Sequence, residues 1–188
     1  MPADRTSKLE QQHRRLLDGL AASIREKGLS RTQVSDIVGH ARASRRTFYK
    51  HFPDKDSCLV ELVHRSATTI IESVTAATES DAPLATQIDQ AVDAYLAVLS
   101  GEPELTLALS SPAVGERIIR AQREELERFA AFLVALTPGT EGNEVAMERA
   151  YMLASGFRAT ALRAIERGDG IEVAGREGKA VFKAILGA

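Results

Sequence analysis

Apolar residues recur along this chain at helical spacing almost from end to end, with no strand-type alternation and no fixed-period repeat. Leu9, His13, Leu16, Leu20 and Ile24 form a first stripe that stops at Lys27-Gly28, a combination suited to a helix C-terminus. Val34, Ile37, Val38 and Ala41 form a second, short stripe at i, i+3, i+4 and i+7. Thr32 is a candidate N-cap for it, with a Ser30–Gln33 capping box as the alternative. After Arg42-Ala43, Ser44 can cap a third helix running through Arg45, Arg46, Thr47, Phe48, Tyr49 and Lys50. Pro53-Asp54 ends that helix and begins another.

The remaining stripes are mostly longer. Leu59, Val63, Ser66, Ile70 and Val74 lead to the polar stretch at Glu79, and Leu84, Ile88, Val92, Tyr95 and Leu99 lead to Ser100-Gly101. A short apolar piece, Leu105–Leu109, precedes Ser111-Pro112. Ile118, Gln122, Leu126, Phe129, Leu133 and Leu136 continue to a stop at Pro138-Gly139. A helix over Asn143–Arg167 is closed by Gly168-Asp169-Gly170, and a last one runs from Glu172 to Leu186. The pattern predicts an all-α fold of nine helices, three short ones first and six mostly longer ones after them.

Charge divides the chain where the pattern does. The formal net charge is only −2, but residues 1–55 carry 12 Lys/Arg against 6 Asp/Glu, and residues 56–188 carry 12 against 20. A basic head suits a polyanion, and an acidic body is repelled by one. One cysteine, Cys58, excludes an internal disulfide framework and a Cys-rich zinc site. With no apolar leader at the N-terminus and no span of membrane length, a cytoplasmic protein without a membrane partner is expected.

Two short helices joined by a tight turn, the second rich in Arg, Lys, Thr and Tyr, fit a helix-turn-helix. Val34, Ile37 and Val38 would brace the pair, and Phe48 and Phe52, four residues apart, would anchor the second helix inward. Arg45, Arg46, Thr47, Tyr49, Lys50 and His51 would remain outside. The stretch from Thr32 to Leu59, centred on Thr47-Phe48-Tyr49-Lys50-His51-Phe52 and followed by Lys55, resembles the DNA-binding signature of TetR-family repressors. One departure is visible: Arg42 stands where the family usually has glycine, and a positive φ retained there costs about 1 kcal/mol.

The resemblance implies a three-helix DNA-binding domain over residues 1–54 and a helical regulatory and dimerisation domain over 55–188. It implies phosphate contacts at Thr32 or Gln33 and at Tyr49, His51 and Lys55. Ser44 is expected to cap the recognition helix and share its hydroxyl with the backbone or a phosphate. Thr47 could meet a thymine methyl or a phosphate, and Lys50 a base or a phosphate. Arg45 and Arg46 are the candidates for base readout, because Arg can donate two bonds to guanine.

A two-fold operator calls for a homodimer, and the last two helices are the expected interface. Leu153, Gly156, Phe157, Ala161, Ala164, Val181 and Ile185 offer small and apolar contacts there. The body implies a pocket for an unknown small-molecule effector, with Ser66, Tyr95, Phe129, Phe132 and Tyr151 as candidate lining residues. No cofactor is expected. No phosphate loop, nucleophile elbow or metal-ligand spacing among His13, His40, His51 and His64 supports catalysis. The rival reading is a helical ligand- or protein-binding module without specific DNA binding.

Overall fold

The computed structural model describes residues 3–111, 115–135 and 144–186. Among these residues there are nine helices and no strand: α1 (Ala3–Lys27), α2 (Val34–His40), α3 (Arg45–His51), α4 (Lys55–Ala77), α5 (Leu84–Gly101), α6 (Pro103–Ser110), α7 (Glu116–Ala135), α8 (Glu144–Arg167) and α9 (Glu172–Leu186). Each predicted stripe became one helix, but only α2 and α3 of the first three are short: α1 has 25 residues. Leu136, the stop at Pro138-Gly139, Pro112 and the predicted start at Asn143 lie outside the described residues.

The chain divides into two compact units. The first comprises Met1–Arg65 and Ser111–Ala121. Leu16, Leu20 and Ile24 of α1, Ile37 of α2, and Phe48 and Phe52 at α3 are all essentially without solvent exposure. Helix α1 packs closely on α2 because Gly19 has no side chain: a Cβ there would stand 2.5 Å from the Ile37 carbonyl oxygen. Gly28, at φ +80, ends α1, as the Lys27-Gly28 pair predicted.

The second unit comprises Ser66–Ser110 and Gln122–Ala188. Its core gathers Val74, Ile88, Val92, Tyr95, Leu96, Phe157 and Phe182 from α4, α5, α8 and α9. Gly175 and Gly178 let α9 approach its neighbours, since a Cβ at Gly178 would overlap the Phe157 ring. Two ion pairs, Lys179–Asp93 and Lys183–Asp89, each 2.7 Å, tie α9 to α5.

Candidate nucleic-acid interface

The turn between α2 and α3 is built by backbone hydrogen bonds. Arg42 N–H donates to the Gly39 carbonyl at 3.2 Å, and Ala43 N–H to the Val38 carbonyl at 2.9 Å. This paired return of two amides onto the last carbonyls of a helix places the penultimate residue in the left-handed region. Arg42 is at φ 48, the one non-glycine residue with positive φ among those described. The expected strain at this position is therefore present. Ser44 then caps α3: its Oγ accepts from Thr47 N–H at 3.0 Å and lies 2.9 Å from Thr47 Oγ1.

Phe48 and Phe52 are 0% and 1% exposed, with their rings 5.6 Å apart and tilted by 42°, so α3 is fixed by its inner face. Its outer face carries Arg45, Arg46, Tyr49 and Lys50, all exposed, with Tyr49 57% exposed. Residues 41–53 contain no carboxylate. Arg42, Arg45, Arg46 and Lys50 have no ion-pair or hydrogen-bond partner among the described residues. Neighbouring cations are engaged: Lys27 pairs with Asp36 at 2.7 Å, Arg65 with Asp18 at 2.7 Å and Arg117 with Asp54 at 3.1 Å. Four unneutralised cations on a turn and one short helix make a compact positive surface whose natural counter-charge is outside the chain.

The start of α2 differs from the expectation. Thr32 is 1% exposed, donates to the Gly28 carbonyl at 2.9 Å and accepts from Ser23 Oγ at 3.3 Å, so its hydroxyl is committed inside. The N-cap of α2 is Gln33, not Thr32 or Ser30. The Asp36 carboxylate accepts from Gln33 N–H at 2.8 Å, and Lys27 beside it holds that carboxyl below its ordinary range. Gln33 is exposed at this helix start.

Lys55 is half-buried, and its ammonium donates to the carbonyls of Thr32 (3.0 Å) and Leu29 (3.5 Å). It ties the α1–α2 loop to the start of α4 before it can serve as a phosphate contact. His51 turns Nε2 into the protein, where it has no partner among the described residues, and its ring meets His13 at 5.6 Å. Burial, then the charge of His13, pushes the imidazole pKa down. Only its Nδ1 is left for a phosphate.

In the second unit a partly open cavity of about 40 Å³ is lined by residues of α4, α5, α7, α8 and α9. Of the expected lining residues, Tyr95 and Phe129 face it. Ser66, Phe132 and Tyr151 do not: Phe132 packs from outside against the core, and Ser66 and Tyr151 are half-buried elsewhere. Among the expected interface residues, Phe157 and Ala161 are 8% and 0% exposed and belong to this chain's own core. Leu153 is half-buried against that core, and Ala164 is half-buried. Val181 and Ile185 are about half exposed, at 48% and 49%, and Gly156 is exposed. Sequence reasoning missed Met152, exposed by 70%.

An all-helical fold carrying a helix-turn-helix with a solvent-facing, uncompensated basic helix defines a class: DNA-binding transcriptional regulators. Residues 16–62 match the family model of bacterial regulatory proteins of the tetR family. The rest of the chain shares the fold. A putative TetR-family transcriptional regulator from Syntrophomonas wolfei superposes with a TM-score of 0.78 at 17% identity, over 95% of this chain and 96% of that one. A putative TetR-family regulator from Mesorhizobium loti gives 0.66 at 22% identity, over 94% and 97%. The transcriptional regulator FadR from Bacillus subtilis, solved with stearoyl-CoA, gives 0.71 at 16% identity, over 89% and 95%. No curated protein matches the chain in sequence. Among the described residues no helix is long and apolar enough to cross a membrane, and no cluster of three His, Cys, Asp or Glu could hold a metal ion.

Proposed function

We propose that this protein is a repressor that binds a near-palindromic operator as a homodimer and leaves it when a small-molecule effector binds. Residues 1–54 then act as the DNA-binding domain and 55–188 as the regulatory and dimerisation domain. The observation that carries the reading is the set of unpaired cations Arg45, Arg46 and Lys50 on α3, beside the exposed Tyr49. Arg45 and Arg46 read bases in the major groove. Gln33, Ser44, Thr47, Tyr49 and Lys50 hold phosphates or base edges, with His51 and Lys55 secondary because each is already partly engaged in the fold.

Two copies are needed because one short recognition helix binds weakly, and joining two gives avidity. Half-sites then lie about 34–36 Å apart, or a multiple of that. The exposed apolar residues Met152 of α8 and Val173, Val181 and Ile185 of α9 support those helices as the dimer interface. The cavity in the second unit supports an effector site, and Bacillus subtilis FadR, a protein of the same fold, was crystallised with a small molecule bound. An effector acts only through its different affinities for the DNA-competent and incompetent states.

Selection of binding sites from random duplexes with the full chain tests the proposal. The expected product is an inverted repeat bound by two chains. Recovery of unrelated sequences would leave a helical module without specific DNA binding.

A further inference from the structure

We infer that the effector is an uncharged, largely apolar molecule, a hydrocarbon chain or an aromatic ring, whose apolar part occupies the cavity among Tyr95, Phe129, Phe157 and Phe182. This rests on the effector reading above and names the chemistry of its ligand. The first argument is the lining. Among the described residues none facing the cavity carries a charge; Gln87 supplies the one amide and Tyr95 the one hydroxyl there, and every other described lining side chain is aliphatic or aromatic. A carboxylate or ammonium entering such a place loses its hydration and meets no counter-charge in the lining itself, whereas an alkyl or aryl group gains by leaving water.

Two cations of the unit are matched by carboxylates, and Arg158, whose charge reaches the Tyr95 hydroxyl, is held by a serine. Arg158 donates to Ser110 Oγ at 3.1 Å, Arg128 pairs with Glu125 at 2.8 Å, and Lys183 pairs with Asp89 at 2.7 Å.

The second argument is the void itself. Protein interiors pack to crystal density and keep few holes larger than a water molecule. Here about 40 Å³ remains open between apolar side chains, and space lined this way favours an apolar guest over water.

The third argument is what forms the walls. Tyr95 lies 5.4 Å from both Phe129 and Phe157, and Phe157 meets Phe182 edge-on at 5.5 Å. These rings come from four different helices, α5, α7, α8 and α9, and pivot about two side-chain torsions each. A drug-sized site is typically about 300–1,000 Å³, so a guest must part the rings to enter. Their flat faces offer dispersion and stacking to whatever parts them, and the absence of a carboxylate among them removes the partner a cation would need.

The test is the thermal midpoint of the full chain with n-octanol, octanoate and octyltrimethylammonium at equal, sub-micellar concentrations. These share one alkyl chain and differ in the charge of the head. Octanol is expected to raise the midpoint by about 2 °C or more and the two ions to leave it within error. Ala91, at the cavity wall, is replaced by Leu to fill the space, and by Val as a gentler filler. Either folded variant should lose the octanol shift.

A shift with either ion equal to that with octanol overturns the inferred ligand class, as does an octanol shift that survives in both variants. No shift with any of the three overturns the cavity as a ligand site. Release of operator DNA is read separately, by anisotropy. Octanol that stabilises the chain but releases no DNA refutes the effector reading while leaving the ligand class standing.

Discussion

Arg42 holds a backbone conformation that costs a residue with a side chain about 1–2 kcal/mol, and it holds it because the turn into α3 needs φ near 48 there. Glycine would remove that strain but return about 0.4–1 kcal/mol through the freer unfolded chain. Arg42→Gly should therefore raise stability by about 0.5–1 kcal/mol, read as a higher urea midpoint at unchanged slope. Arg42→Ala, which keeps the strain, should not; equal midpoints for the two variants would remove strain as the explanation.

His51 gives a second test at this scale. Its folded pKa is depressed below the ordinary 6.5, chiefly by burial, so the unfolded chain takes up its proton first. The stability from the neutral ring is present above about pH 6.5 and is lost as pH falls through the folded pKa. His51→Asn should flatten the fall of the thermal midpoint on the acid side, and a fall identical to wild type would acquit His51.

At the scale of elements, the close pairing of α1 and α2 rests on Gly19. Gly19→Ala would drive a methyl into the Ile37 carbonyl, which is backbone and cannot swing away. Overpacking of this kind costs about 1–3 kcal/mol, so a loss in that range is expected by denaturant titration, together with weaker DNA binding. A neutral effect would mean that α1 and α2 can separate freely.

The helices themselves were legible because amphipathic spacing and end signals are local. Gly28, Ser44 and the Phe48–Phe52 pair play the parts their spacing suggested. The start of α2 was misread because Ser30, Thr32 and Gln33 all carry a capping oxygen, and the choice was made by distant groups. Ser23 draws Thr32 inward, and Lys55, 23 residues further on, binds the Thr32 carbonyl. Pairings of that length leave no periodic trace. A glycine within the apolar stripe of α1 was the one local sign of the α1–α2 approach.

At the scale of the whole molecule, the apolar residues of α8 and α9 show where the sequence stops discriminating. Phe157 and Val181 look equally suited to a core or to an interface, but one is 8% exposed and the other 48%. Helical spacing marks which positions are apolar, and only the packing of α9 against α5 and α8 decides which of them are covered within the chain. The cavity is hidden for the same reason, since a periodic pattern reports burial and says nothing of the space left between buried rings. Val181→Glu with Ile185→Glu should convert the dimer to a monomer in sedimentation while leaving the chain folded, because both side chains already meet solvent in a single copy. A dimer that survives would move the interface off α9.

The account rests on Arg45 and Arg46 reading bases. Affinity for a selected operator duplex and for a scrambled duplex of the same length and salt, measured with wild type and with the Arg45→Ala/Arg46→Ala variant, tests this directly. Wild type should prefer the operator by about a thousandfold or more, and the variant should lose at least about tenfold of that ratio with an unchanged thermal midpoint. A ratio unaltered by removing both guanidinium groups would contradict the assignment of α3 as the reading head.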